Sequence, residues 1–258
     1  MAGRIFAGVG GWTFEPWRGV FYPEGLPQKR ELEFASRALT AIEINGTYYS
    51  SFPRATWARW RDETPDGFVF AIKASRFATN RKRLPEAAPS IQKFLQQGLV
   101  ELGDKLGPIN WQLAPTKAFD AAEMEAFLAL LPDAIEGLPL RHAIEARHDS
   151  FACEAFVELA RKRGVAIVHA ESETYPKIVS ATAPFTYARI MTARERLKQG
   201  LPNAELDSLA KTARGWAKRG DAFVFFISAA KVRNPAAAQA FLRRIEAGRV
   251  TPPRSRPR

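Results

Sequence analysis

One cysteine and three histidines are all that 258 residues offer to thiol or soft-metal chemistry. Cys153 cannot close an internal disulfide, and no short-spaced Cys or His pairs mark a zinc cluster. Lying in a helical pattern after Asp149-Ser150, Cys153 reads as buried filler. No apolar run approaches the ~20 residues of a membrane span, and Met1-Ala2-Gly3-Arg4-Ile5 enters a strand-like run without an apolar signal region. The expectation is a cytosolic protein with no membrane partner. A dinucleotide fingerprint is also missing, because Gly8-Val9-Gly10-Gly11-Trp12 is not followed by the helix that such a site needs. No cofactor is implied, and the sequence does not speak to oligomeric state.

Hydrophobic residues make up 46% of the chain and charged residues 25%, enough to bury a full core. The formal net charge is +11. Three of those charges, Arg254, Arg256 and Arg258, belong to a Pro-rich stretch over 251–258 that reads as a disordered basic tail. The body of the chain, 1–250, stays cationic and suits anionic partners.

Short β-branched or aromatic runs alternate with amphipathic helical stretches along the whole chain, the pattern of βα units around a parallel sheet. The strands are expected at 5–9, 41–45, 68–73, 109–113, 142–147, 165–169, 185–190 and 222–228. Helical patterns follow each, weakly after the sixth. Asp120 with Glu123, and Asn234 before Pro235, are helix start signals. Eight units without a long linker predict one α/β domain, a TIM (β/α)8 barrel.

Side chains alternate faces along a strand, so one parity packs under the helices and the other enters the lumen. Ile42 and Ile44 take the apolar parity and leave Glu43 and Asn45 inside. Phe68, Phe70 and Ile72 leave Lys73 inside, and Ile109, Trp111 and Leu113 leave Gln112. Ile144 and Ala146 leave Glu145 and Arg147, Tyr187 enters with Arg189, and the eighth strand ends on an inward Ser228. These residues gather at the C-terminal strand ends, where such barrels bind ligands and react. One reading is a structural ion-pair network of Glu43 and Glu145 with Lys73, Arg147 and Arg189. Because desolvating ions is costly, polar lumen ends favour function over structure.

The loops after the third, seventh and eighth strands carry Arg76, Arg81, Lys82 and Arg83, then Arg194, Arg196 and Lys198, then Lys231 and Arg233, with few acids. Loops at that end of a barrel commonly hold phosphate. Lys73, Arg147 and Arg189 are therefore expected to converge on one anion site. His148 and His169 could join Glu43 and Glu145 in a mixed metal site, but the cations beside them oppose it and no metal is expected. His142, at the other end of its strand, reads as structural.

The motifs Gly10-Gly11-Trp12, Trp17-Arg18-Gly19, Phe21-Tyr22-Pro23 and Ile42-Glu43-Ile44-Asn45-Gly46-Thr47-Tyr48-Tyr49 resemble the YecE-like family, domain of unknown function 72. Lys105-Leu106-Gly107, Trp111-Gln112-Leu113 and Ile144-Glu145-Ala146-Arg147-His148-Asp149-Ser150-Phe151 continue the likeness to about residue 245. The resemblance implies a TIM barrel without implying an activity. It marks Trp12, Glu43, Asn45, Tyr48, Lys73, Gln112, Glu145 and Arg147 as motif positions. Departures come late: Thr79-Asn80 stands where relatives carry Thr-His, Met191-Thr192 where they carry His-Gly, and Ser228-Ala229 where they carry Asn-Asp. If those groups do the family's chemistry, this member is altered in substrate or inactive.

Three functions follow from these residues. The first is an enzyme on a phosphorylated or otherwise anionic small molecule. Its catalytic residues would be Glu43, Lys73 and Glu145, with the carboxylates as acid or base and Lys73 stabilising charge or forming a Schiff base. Trp12, Asn45, Tyr48, Gln112, Arg147 and Arg189 would bind substrate. The second is a nucleic-acid binding protein or phosphodiesterase gripping its polymer with the basic loops. The third is an inactive barrel serving as a partner surface.

Overall fold

The computed structural model describes residues 2–248, and the expected basic tail at 251–258 lies outside them. Parallel strands β1 (Ile5–Gly10), β2 (Ala41–Ile44), β3 (Val69–Lys73), β4 (Leu106–Gln112) and β5 (His142–Glu145) pair in sequence order. β7 (Thr186–Ile190) pairs with β8 (Ala222–Phe226), which returns to β1. The sixth strand position comes in two pieces. Ala166–Ile167 pairs with β5 and His169–Glu171 pairs with β7. Only Val168 separates those pieces, so the two ends of the sheet meet within one chain segment and the barrel is nearly closed.

Helices α1 (Glu31–Ala38), α2 (Arg54–Glu63), α3 (Arg76–Thr79), α4 (Ala88–Leu95), α5 (Ala121–Ala129), α6 (Glu154–Arg163), α7 (Asn203–Ala217) and α8 (Asn234–Ala247) fill the connections. No helix separates the sixth strand position from β7, so the weak helical pattern expected after the sixth strand is not realised. Asp120 caps α5 by accepting from the Glu123 amide at 2.8 Å. Cys153 sits at the α6 N-cap and is half-buried rather than fully enclosed. No helix among the described residues is long and apolar enough to cross a membrane.

Strand parity divides the core into two apolar layers. Ile42, Ile44, Phe68, Phe70, Ile72, Ile109, Trp111 and Ile144 pack outward under the helices. Phe6, Ala41, Val69, Ala71, Ala143, Val168, Tyr187, Phe223 and Phe225 fill the lumen. On the eighth strand Phe223, Phe225 and then Ile227 take the inward parity. Ser228, past the strand end, lines the mouth cavity and donates its hydroxyl to Asn234 Oδ1 at 2.6 Å, tying the strand end to the start of α8.

Two polar anchors shape the sheet from outside the lumen. The Trp111 indole donates to His142 Nδ1 at 3.0 Å while His142 Nε2 donates to the Pro132 carbonyl at 2.7 Å. This fixes the tautomer, and burial holds the imidazole below its usual pKa. Buried Lys105 donates to the carbonyls of Arg61 (2.7 Å) and Thr64 (2.6 Å), capping the C-terminus of α2 just before β4 starts. Gly107 follows because a Cβ there would lie 2.7 Å from the Phe70 carbonyl, where the β3–β4 register shifts. Lys105→Met is expected to cost about 1 kcal/mol of stability in urea unfolding, through the orphaned carbonyls. An unchanged midpoint would deny Lys105 that capping role.

Candidate functional site at the barrel mouth

Arg189 enters the lumen from β7 as parity requires, 2% exposed, and bridges two carboxylates from opposite walls. Its guanidinium donates to Glu145 Oε2 at 2.6 Å, to Glu43 Oε1 at 3.0 Å and to Gln112 Oε1 at 3.3 Å. Tyr187, two residues earlier on the same face, donates its hydroxyl to Glu43 Oε2. Asn110 Nδ2 donates to Glu145 Oε2 at 3.1 Å, and Arg147 holds the other Glu145 oxygen at 2.7 Å. Every carboxylate oxygen in this layer has a partner.

The electrostatics follow from that closure. Burial alone would raise the Glu145 carboxyl, but Arg189 and Arg147 outweigh it and hold the group at about 2. Burial works against the Arg189 charge as well, and Glu145 and Glu43 more than restore it. Burial and then the Glu43 charge raise the Tyr187 phenol, which stays a donor.

Lys73 is the exception. Its ammonium stands 4.5 Å from the Tyr48 ring centroid, and among the described residues no carboxylate lies within ion-pair distance of it. Burial first, then the Arg189 charge, push it down to about 8 against the upward pull of Glu43 and Glu145. The Thr47 hydroxyl, 2.6 Å from the Lys73 carbonyl and 2.8 Å from that of Ile44, ties the end of β3 to the turn after β2. Tyr48 receives a hydrogen bond from Asn80 at 3.0 Å, so the Asn of the Thr79-Asn80 departure steadies the ring under the lysine.

Above this layer opens a cavity of about 680 Å³, lined among others by Trp12, Asn45, Lys73, Arg147 and Arg189. Gly10 makes room for Asn45, since a Cβ there would fall 2.3 Å from Asn45 Nδ2. Asn45 Oδ1 is buried and has no partner among the described residues. Trp12 packs edge-on against Trp60, with ring centroids 5.1 Å apart.

The structure therefore brings the expected residues together but sorts them by depth. Trp12, Asn45, Lys73 and Arg147 face the cavity. Glu43, Gln112 and Glu145 lie beneath it with their groups engaged, and Tyr48 backs Lys73. Arg189 reaches the mouth, yet its charge is committed to two carboxylates, so three free cations do not converge there. His148 bonds Ser150 Oγ at 2.8 Å and His169 lies 3.4 Å from Glu171, and no three metal-ligating side chains gather among the described residues. Sequence reasoning missed Asn110, two residues before Gln112 on the same parity. It also missed Tyr175, whose ring lies 4.3 Å from the Arg147 guanidinium and whose hydroxyl accepts from it at 3.2 Å.

The basic loops are less free than their composition suggested. Arg83 pairs with Glu86 at 3.5 Å and Arg194 with Glu205 at 2.9 Å, while Arg81 donates to Phe77 O and Ser90 Oγ.

Fold and mouth together define a TIM-barrel protein with a charged, ligand-sized cavity at the C-terminal strand ends. The chain belongs to the family described as "Protein of unknown function DUF72", whose pattern matches residues 6–258. It is 26% identical over 161 residues to the UPF0759 protein YecE of Escherichia coli K12, covering 62% of this chain and 55% of that protein. The match thus spans about half the length of the curated relative. A DUF72 family crystal structure from Thermotoga maritima superposes with TM-score 0.74 at 21% identity, covering 95% of this chain and 98% of that one. One from Enterococcus faecalis gives 0.72 at 17%, covering 94% and 95%. A psychrophilic family 10 endo-β-1,4-xylanase gives 0.51 at 11%, covering 90% of each. These likenesses establish the fold.

Proposed function

We propose that the protein is an enzyme acting on a small anionic molecule bound at the barrel mouth. The observation that carries this reading is Lys73, an enclosed amine without a carboxylate partner on the wall of a ligand-sized cavity. Holding a half-buried ammonium without a counter-charge costs the fold stability, and a bound anion supplies that counter-charge. Arg147 lines the same cavity and carries a second positive charge.

The acid and base roles move accordingly. Glu145, held near 2 with both oxygens engaged, is neither a proton donor nor a useful base at neutral pH. Glu43 is equally enclosed. Both are positioning residues, Glu43 fixing Arg189 and Glu145 fixing Arg189 and Arg147, and Lys73 is left as the group able to exchange a proton or attack. A small ligand is favoured over a polymer because the unpaired Lys73 amine lies inside the cavity, whereas in the loops Arg83 and Arg194 are ion-paired and Arg81 is hydrogen-bonded. Titration calorimetry with glyoxylate and inorganic phosphate tests the reading. Saturable binding of at least one, weakened about tenfold or more by Arg147→Gln, is expected from the loss of a charge-assisted contact. Unaltered affinity in that variant, or no binding by either anion, would sink it.

A further inference from the structure

The reading of the mouth as an anion site leaves open what the amine itself does. We infer that Lys73 forms an imine with the substrate, and that the substrate class is a small aldehyde or ketone carrying a carboxylate or phosphate. This inference rests on the proposed function and deepens it.

Three geometric observations support it. Lys73 ends β3 on the lumen parity, so a rigid strand aims its amine at the cavity. The amine has no ion-pair partner among the described residues, so no carboxylate must be displaced before its lone pair can approach a carbonyl carbon. Tyr48 and the Thr47 tether hold the side chain and backbone from the wall side. Burial and then the Arg189 charge, with Arg147 adding to it, favour the neutral, nucleophilic form of the amine against the opposing pull of Glu43 and Glu145. Arg147 also supplies an anchor for the substrate's anionic end.

The step balances as a condensation. The neutral Lys73 nitrogen bonds the carbonyl carbon, and both amine hydrogens leave with the carbonyl oxygen as water. The imine nitrogen then takes one proton from solvent, restoring the positive charge between the substrate anion and the carboxylates below. No oxidant, reductant or cofactor is consumed.

Trapping with sodium cyanoborohydride, which delivers hydride to the imine carbon, converts the adduct to a stable secondary amine. The full-length protein is treated at pH 7 with glyoxylate, glycolaldehyde phosphate or uncharged propionaldehyde, then mapped by peptide mass spectrometry. The expected result is one dominant adduct on Lys73, heavier by the probe less one oxygen atom. With an anionic probe its rate should exceed that of exposed lysines by at least about tenfold, since those remain almost fully protonated at this pH. The glyoxylate and phosphate arms identify the anion, and propionaldehyde should label Lys73 far more slowly. Lys73→Arg keeps the charge and should retain inorganic phosphate binding while losing the adduct. Anion binding without preferential labelling of Lys73 overturns the imine and leaves the anion site standing. Failure of both labelling and anion binding overturns the two together.

Discussion

Replacing Arg189 by Met is expected to destabilise the protein by about 3 to 5 kcal/mol at pH 7, the cost of leaving buried charges uncompensated. The guanidinium is almost entirely buried and is the shared partner of Glu43 and Glu145. Its removal leaves two carboxylates facing each other with only Tyr187, Asn110 and Arg147 to hold them. Urea unfolding should show the loss, and the melting temperature should fall by on the order of 10 °C.

The pH dependence separates this cause from a simple packing defect. In the native protein Glu145 lies near 2, below its unfolded value of about 4.3, so its contribution is complete above that value and fades as pH falls toward 2. In the Arg189→Met variant, burial and carboxylate repulsion raise the folded-state value above the unfolded one. The folded form then binds the extra proton, so the variant gains stability as pH falls from 7 toward 4 and its deficit narrows. Adding Glu43→Gln and Glu145→Gln should recover most of the loss at pH 7. A deficit under about 1 kcal/mol, or one independent of pH, would show that the network does not bear on stability in this way.

How far this layer was legible in the sequence depends on which strand is considered. In β2 and β3 the outward residues are large and apolar and the inward ends are charged, so parity alone placed Glu43 and Lys73 correctly. The eighth strand, Ala222-Phe223-Val224-Phe225-Phe226-Ile227-Ser228, is apolar on both faces, as a strand buried between lumen and helices must be. Alternation gives no phase there, and Ser228 reaches the mouth cavity only past the end of the strand. Closure of the barrel followed from eight βα periods. The break at Val168 did not, because a one-residue interruption leaves the hydrophobic pattern intact.

The same limit applies to the site. Strand parity tells which side chains share the lumen, but pairing depends on depth and on which walls face each other. Glu43, Glu145, Lys73, Arg147 and Arg189 read as one undifferentiated charged set. Only the structure shows that Arg189 serves both carboxylates, that Arg147 serves Glu145, and that Lys73 is left over. Asn110 illustrates the point in miniature. It has the right parity for the lumen, yet it looks like an isolated polar residue in an apolar strand until both carboxylates are seen beside it.

Lys73→Met is expected to raise stability at pH 7 by about 2 kcal/mol. A folded-state value near 8 against about 10.4 in the unfolded chain would give somewhat more at ~1.36 kcal/mol per pH unit, reduced here because the amine is partly solvated at the cavity wall and loses its contact with the Tyr48 ring. The sign follows from proton counting. Below pH 8 both folded and unfolded forms carry the proton, so the full cost of enclosing the charge falls on the native protein. Between about 8 and 10.4 only the unfolded chain keeps it, so native stability rises with pH relative to the variant. Urea unfolding of both proteins from pH 6 to pH 10 should therefore show a gap in favour of the variant that is constant up to about pH 7.5 and then closes. A variant less stable than the native protein at pH 7, or a gap that persists unchanged at pH 10, would mean that Lys73 is a stabilising member of the network. A gap that closes as expected makes the lysine a group retained at a cost to folding, at the place where the barrel opens to a ligand.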